Sequence, residues 1–332
     1  MIDFSRRAML TRGAAAAGLV AMPGLIRAAA AADRPAYQVE TGGKAPFVPV
    51  RILDTDAMPW PAPFNDRGWQ AKTLFDNPET GDHLLIISVP IGAPGGRNHY
   101  HDFHEWAYWL TGDFVNNEYM SPWSRVGKFQ QFREGVFLDR PAYSLHGGEV
   151  DRLDSQVGGT CLIMEEGGKT HYVIPGDPGS DTEFKTVKQW ATPRIVDTLA
   201  DMPWEPLRSS NGILIKRLAE DQKRGFRATL WQVPAGWTRP KFETFGRPYY
   251  YNQAHEFNFV LNGNMRIETY AEPFGKGRIH EVGKSFYIER PPKSIFGLAT
   301  GEVSRYGCVW LQVTYGKGTA IPNVPIEAPQ YI

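Results

Sequence analysis

The sequence predicts an all-β protein made of two tandem β-barrels of the jelly-roll type, and three observations carry that prediction. Short apolar runs rich in β-branched and aromatic residues recur along the chain and are bounded by Gly, Pro, Asn or Asp. Long stretches with the periodicity of an amphipathic helix are scarce. The second half of the chain also repeats elements of the first half in the same order. Two antiparallel barrels of about 150 residues each account for all three observations.

Individual strands can be assigned from the apolar runs. In the first half we predict strands over residues 83–89, 105–110, 135–138 and 161–164. The triplets Thr111-Gly112-Asp113 and Asn262-Gly263-Asn264 are typical of tight turns between strands.

The internal repeat sets the domain organisation. The pentapeptide that begins at Arg51 returns at Arg194, the triplet Met58-Pro59-Trp60 returns at Met202, and His104-Glu105 returns as His255-Glu256. The offset between the copies is about 143 to 151 residues, which is one barrel each. We therefore predict an N-terminal barrel over 33–187 and a C-terminal barrel over 188–332.

The first 32 residues resemble a twin-arginine (Tat) signal peptide. Arg6-Arg7 precede a modestly apolar run, and alanines 28 to 32 offer small-residue cleavage sites. The apolar run is shorter than the roughly 18 residues that a membrane-spanning helix requires. We expect the Tat export machinery to be a partner, the mature protein to be periplasmic or secreted, and no membrane attachment after cleavage.

The amino-acid composition limits the classes of binding partner further. Acidic and basic residues balance at 36 each, so no net field favours nucleic acid. An aromatic content of 13% favours aromatic-lined pockets and a small-molecule substrate. Cys161 and Cys308 lie in apolar runs, and we expect both to be buried free thiols. The oligomeric state stays open, with an oligomer among the options.

One cluster of residues has the spacing of a metal site. His99 and His101 lie two apart on a predicted strand, so both can face the inside of a barrel. Glu105 follows after a turn, and His146 closes the set from a later strand. Three imidazoles and one carboxylate would leave positions open on a five- or six-coordinate divalent metal. We predict a single site formed by His99, His101, Glu105 and His146.

These residues carry a resemblance to the cupin superfamily, and more narrowly to the bicupins. His99, His101, Glu105 and Gly112 match the first cupin motif, H-x-H-x(3,4)-E-x(6)-G. The second motif is matched by Gly135, Pro141 and His146, but Tyr143 and Val150 stand where the family has Gly and Asn. The resemblance covers essentially the whole mature chain. It implies one divalent transition metal, with Mn or Fe favoured and Ni, Cu and Zn as alternatives.

The second copy has lost most of this ligand set. Alignment places Tyr250 at the position of His99, Asn252 at that of His101 and Phe296 at that of His146. We therefore expect the C-terminal barrel to be degenerate and metal-free. His104 persists as His255 in this copy, which indicates a role in the fold.

The resemblance leaves three function classes. The first is a dioxygenase-type oxidoreductase that acts on a small phenolic or enolisable substrate, as in quercetinase-like bicupins. The second is a Mn-dependent decarboxylase or lyase of small organic acids, similar to oxalate decarboxylase, although those relatives usually keep metal sites in both barrels. The third is a non-catalytic metal- or ligand-binding bicupin. Of these we favour the dioxygenase.

No catalytic side chain can be selected from the sequence. Glu118, Tyr108 and Arg97 lie near the motif as acid or base candidates, and nothing in the sequence distinguishes them. The rings of Phe103 and Trp109 can face the cavity.

Overall fold

A computed structural model describes residues 48–121, 124–148, 152–177, 192–207, 212–238, 250–251, 254–269, 277–298, 301–316 and 324–325. These residues form strands and no helix, which confirms the predicted all-β class. No helix within this part of the chain is long and apolar enough to cross a membrane.

The first half contributes ten strands among the described residues. They are β1 (Arg51–Asp54), β2 (Gln70–Asp76), β3 (His83–Val89), β4 (His99–His101), β5 (Glu105–Glu118), β6 (Lys128–Arg133), β7 (Val136–Arg140), β8 (His146–Gly147), β9 (Gly159–Glu165) and β10 (Thr170–Tyr172).

The second half repeats the pattern. Its strands are β11 (Arg194–Asp197), β12 (Glu205–Pro206), β13 (Leu214–Asp221), β14 (Phe226–Val233), β15 (Trp237–Thr238), β16 (Tyr250–Tyr251), β17 (His255–Thr269), β18 (Arg278–Gly283), β19 (Phe286–Arg290), β20 (Ile295–Leu298), β21 (Glu302–Ser304), β22 (Cys308–Tyr315) and β23 (Val324–Pro325).

Two antiparallel sheets account for nearly all of these strands. The first runs in the order β10-β4-β8-β5-β9-β3-β2, with β6 and β7 also paired to β5. The second runs in the order β12-β13-β14-β22-β17-β20-β16-β23, with β18 and β19 also paired to β17. One long strand, β5 or β17, joins the two layers of each barrel, as a jelly roll requires.

The two halves exchange one strand each. β1 pairs with β19 of the second sheet, and β11 pairs with β7 of the first sheet. The threonine that ends each exchanged strand donates a hydrogen bond across the exchange, Thr55 Oγ1 to the Ser285 carbonyl and Thr198 Oγ1 to the Gly135 carbonyl, both at 2.7 Å. The repeated pentapeptide is therefore the strand that each half lends to the other. The predicted domain boundary falls within 178–191, outside the described residues, and stays a prediction.

The prediction of tight turns at Gly112 and Gly263 is wrong. β5 and β17 continue through both glycines, and each has a register shift of the β-bulge type just before its glycine. Gly112 has a φ of 71° and Gly263 a φ of 77°, a backbone conformation that glycine adopts without strain. The turn-forming residues thus mark the bulge at which each long strand passes from one layer of its barrel to the other.

One hydrophobic core connects both halves. Trp106 and Phe137 of the first half belong to the same buried cluster as Phe226 and Phe257 of the second half. The Trp106 indole N–H donates a hydrogen bond of 2.8 Å to the Tyr315 hydroxyl across this cluster. Each barrel therefore covers an apolar face that the other would expose to water.

Both cysteines are buried free thiols, as predicted. Burial raises the pKa of the Cys161 thiol and raises that of Cys308 to about 12. Both sulfurs are therefore protonated and unreactive at neutral pH.

Candidate functional site

The predicted site residues lie on adjacent strands of the first sheet. His99 on β4 is directly opposite His146 on β8, and His146 is directly opposite Glu118 on β5. Residues that face each other across antiparallel strands project from the same side of the sheet, with Cβ atoms about 4.5–5.5 Å apart. His99, His146 and Glu118 therefore form one row, and His101 lies two residues from His99 on the same face.

Three of the four predicted ligands converge on one point. One ring nitrogen from each of His99, His101 and His146 lies within 4.8 Å of the other two. The His99 and His146 ring centroids are 4.2 Å apart, and each lies 5.0 or 5.1 Å from that of His101. Such a cluster could hold a metal ion.

Each imidazole is oriented by a hydrogen bond at Nδ1. The His99 and His146 Nδ1 atoms lie 2.8 and 2.9 Å from the carbonyls of Arg97 and Ser144. Because a carbonyl oxygen only accepts, both Nδ1 atoms carry the proton, and Nε2 keeps its lone pair. His101 Nδ1 lies 3.0 Å from the Thr170 hydroxyl. This is the outer hydrogen bonding that orients imidazoles as metal ligands through Nε2.

The two outer histidines are neutral at physiological pH. Burial, together with the neighbouring His101, lowers the pKa of His99 to about 3. Burial and the charge of Arg140 lower the pKa of His146 well below its usual value. Neutral imidazole is the form that binds metal, so the fold holds both rings ready for coordination.

Glu105 lies at the edge of the histidine cluster and is held by an arginine. Its Oε1 accepts a hydrogen bond from Arg140 Nη1, and its Oε2 lies 3.3 Å from His101 Nε2. Burial alone would raise the pKa of this carboxyl, but the charge of Arg140 and the neighbouring His101 outweigh it and lower the pKa to about 2. One carboxylate oxygen is therefore committed to Arg140, and the other faces a predicted ligand.

Arg140 also binds a second buried carboxylate. Its Nη2 donates a hydrogen bond to Oε1 of Glu118, which is 4% exposed. Burial raises the pKa of Glu118, with Arg140 opposing part of that effect. Sequence reasoning could not select Glu118 and did not assign Arg140 or Thr170 to the site. Arg140-Pro141 recurs in the second half as Arg290-Pro291, and this recurrence was the only sequence signal for Arg140.

Of the other residues named from the sequence, some contact the histidine cluster and others do not. Phe103 stacks on His101 with ring centroids 4.6 Å apart, so it contacts the site. Trp109 stacks instead on Phe132 at 4.3 Å, within an aromatic cluster. Tyr108 directs its hydroxyl to Thr198 of the exchanged strand at 3.4 Å, and Arg97 contributes its carbonyl.

The second copy keeps the arginine–glutamate pair but not the histidines. Arg290 Nη1 donates to Glu256 Oε1 at 2.6 Å, as Arg140 does to Glu105. Tyr250 is directly opposite Phe296, the register that His99 and His146 have in the first copy. The predicted alignment of these two positions is therefore confirmed, and neither residue type offers an imidazole. Asn252 lies outside the described residues.

His104 has the role in the fold that its persistence indicated. It lies 2.6 Å from Asp139 through Nε2, and its ring meets Phe226 of the second half edge to face at 4.9 Å. His255 repeats the arrangement with Glu289 at 3.1 Å and Phe75 at 5.0 Å. Both histidines thus pack between the halves.

Comparison with known proteins extends these observations. No protein-family model and no curated protein sequence matches the chain. Among solved structures, a deletion variant of Bacillus subtilis oxalate decarboxylase matches with a TM-score of 0.52 and 14% identity, covering 86% of this chain and 81% of that one. The same enzyme at pH 4.6 matches with a TM-score of 0.52, 13% identity and coverage of 86% and 80%.

A third structure of Bacillus subtilis oxalate decarboxylase, from work on its Mn(II) centres, gives a TM-score of 0.53 at 13% identity and covers 86% of this chain and 81% of that one. At this level of identity the likeness concerns the fold. It confirms that the chain has the fold of two tandem cupin barrels.

Proposed function

We propose that the N-terminal barrel holds one divalent metal ion through His99, His101 and His146, with Oε2 of Glu105 as the fourth ligand. The support is the convergence of three imidazoles whose Nδ1 atoms are already hydrogen-bonded. Imidazoles combined with a carboxylate suit Mn and Fe as well as Ni, Cu and Zn. The oxalate decarboxylase with the same fold has Mn(II) centres, which favours Mn here.

We further propose that the protein is a metal-dependent enzyme that cleaves a small organic acid. A metal bound here would act as a Lewis acid and a template for the acid's oxygens. The chain's own residues supply the rest of the site: Phe103 covers one side of His101, and Arg140 holds Glu105 in place. His99 is the least buried of the three histidines and lies beside the exposed Tyr172 ring at 5.7 Å, so the substrate enters past these two residues.

The observation that carries this proposal is the metal-ready histidine cluster inside the fold shared with oxalate decarboxylase. That combination favours a lyase over the dioxygenase expected from the sequence. Dioxygenase chemistry on a phenolic or enolisable substrate remains the second candidate, because the aromatic rings of Phe103 and Tyr172 beside the histidines suit a planar substrate.

A single assay separates the two candidates. Manganese-loaded protein is incubated with oxalate, 2-hydroxy acids and phenolic substrates while carbon dioxide release and oxygen uptake are recorded together. The lyase proposal expects carbon dioxide from an acid without stoichiometric oxygen uptake, and loss of that release in His146→Ala. Stoichiometric oxygen uptake with a phenolic substrate would instead establish the dioxygenase. Neither signal with any substrate class would favour the non-catalytic binding protein.

We also propose that residues 1–32 export the folded protein by the Tat route to the periplasm. These residues lie outside the described part of the chain. The test is the N-terminal sequence and location of the protein expressed from the full chain, compared with a variant in which Arg6 and Arg7 are both changed to Lys. Cleavage near residue 32 and retention of the variant in the cytoplasm are expected, whereas an uncleaved wild-type protein would refute the proposal.

A further inference from the structure

Glu118 is a second buried carboxylate beside the histidine cluster. It ends β5 directly opposite His146, so its side chain lies on the face of the sheet that carries His99 and His146. It is 4% exposed, and Arg140 is the group that holds its Oε1. Glu118 is therefore a neighbour of His146 on the face of the sheet that carries the histidine cluster.

The other oxygen of Glu118 has no hydrogen-bond partner in the described part of the chain. Oε2 is fully buried and makes no hydrogen bond to any residue that the structure describes. An unsatisfied buried polar oxygen destabilises the folded protein, and more so when it is charged. A hydrogen-bond donor on a bound ligand would satisfy this oxygen.

The second copy of the barrel provides an internal comparison. Glu105 and Arg140 recur there as Glu256 and Arg290, an ion pair that is kept without histidines. Glu118 does not recur. Thr269 ends β17 opposite Arg278, just as Glu118 ends β5 opposite Lys128, and its hydroxyl lies 2.9 Å from His280. Glu118 therefore differs between the two copies, as the histidines do, whereas the Glu105–Arg140 pair is present in both.

We infer that Glu118 contacts the substrate and selects acids that carry a hydroxyl group next to the metal-binding carboxylate. This inference rests on the proposed metal site. The free Oε2 accepts a hydrogen bond from such a hydroxyl. The single charge of Arg140 is already shared by Glu105 and Glu118. A dicarboxylate such as oxalate would bring a second negative charge against Glu118, and like charges that meet at a desolvated site repel each other.

The test is equilibrium binding of glycolate and of oxalate to the manganese-loaded full chain, measured by water-proton relaxation without turnover. Glu118→Gln keeps the shape of the side chain, removes its charge and offers an amide that donates to a carboxylate. We expect the preference for glycolate over oxalate to fall by about tenfold or more in Glu118→Gln, or about 1.4 kcal/mol. Glu134→Gln, which removes an exposed carboxylate on the β6–β7 turn, should keep the wild-type ratio.

Glu118→Thr, which copies the residue of the second barrel, is the second variant and should show the same loss of preference. Manganese binding with an unchanged glycolate-to-oxalate ratio in both variants would overturn the role of Glu118 while leaving the metal site intact. Wild-type protein that binds no manganese would overturn the metal site and this inference with it.

Discussion

Arg140 is the only cation that contacts the buried carboxylates of the candidate site among the described residues, so its removal is the sharpest perturbation of that site. Arg140→Met keeps an aliphatic chain of similar reach but leaves Glu105 and Glu118 without their shared partner. Breaking a buried ion pair by removing one partner costs about 3–5 kcal/mol. Because two carboxylates lose their partner here, we expect a loss near the upper end, about 5 kcal/mol.

The second copy offers a matched control. Arg290→Met removes the partner of Glu256, which keeps a 2.8 Å hydrogen bond from the Asn258 side chain. Only one carboxylate loses its arginine here, and it keeps another hydrogen-bond donor. We therefore expect the free energy of unfolding to fall by about 3 kcal/mol, the lower end of the range for a broken buried ion pair.

The assay is urea unfolding of the three proteins with a chelator and again with excess manganese. A bound divalent ion supplies positive charge beside Glu105, so manganese should reduce the deficit of Arg140→Met by at least about 1 kcal/mol. The deficit of Arg290→Met should not depend on manganese. A stability loss below about 1 kcal/mol for Arg140→Met, or an equal effect of manganese on both variants, would refute this account of the buried charges.

Three further predictions concern the rest of the chain. Gly112→Ala should destabilise the protein by at least about 2 kcal/mol in thermal or urea unfolding, because φ is 71° and a Cβ would lie 1.9 Å from the Gly158 carbonyl oxygen; a wild-type melting curve would contradict this. Burial, only partly opposed by Arg67, raises the pKa of Asp154 to about 6. The carboxyl of the unfolded chain ionises near pH 3.8, so between pH 3.8 and about 6 the native state binds more protons than the unfolded state. The free energy of unfolding should therefore fall as pH rises from about 4 to about 6. Asp154→Asn should flatten this dependence in urea unfolding at several pH values. Cys161 and Cys308 should not react with a thiol reagent until the protein unfolds, and rapid labelling of the native protein would contradict their burial.

The histidine cluster was predictable because its information is local. His99 and His101 are two apart on one strand, and the period of a strand places both on one face. The repeat also predicted the degenerate positions correctly, since Tyr250 and Phe296 have the register of His99 and His146.

The strand exchange could not be predicted from the same pattern. Arg51 lies beside Glu289, which is 238 residues away, and no local feature of β1 or β11 indicates which barrel receives it. The repeat showed that the two pentapeptides occupy equivalent positions. They would do so whether each strand pairs within its own half or with the other half.

Glu118 was a candidate from the sequence but could not be selected, and the reason is a different physical one. Glu105 and Glu118 are 13 residues apart on one strand, and an odd spacing normally places two side chains on opposite faces. The bulge between Trp109 and Thr111 shifts the alternation by one residue, so both carboxylates reach Arg140. Because Gly112 was interpreted as part of a turn, the sequence did not indicate that the two carboxylates lie on the same face.

The central claim is one metal site in the N-terminal barrel, and the most direct test is the stoichiometry of manganese binding. Wild-type protein, His146→Ala and His83→Ala would be titrated with manganese after chelator treatment, His83 being a half-buried histidine paired with Glu165 outside the site. The account predicts one equivalent for wild type and for His83→Ala, and none for His146→Ala. Two equivalents in the wild type, or one retained by His146→Ala, would contradict it.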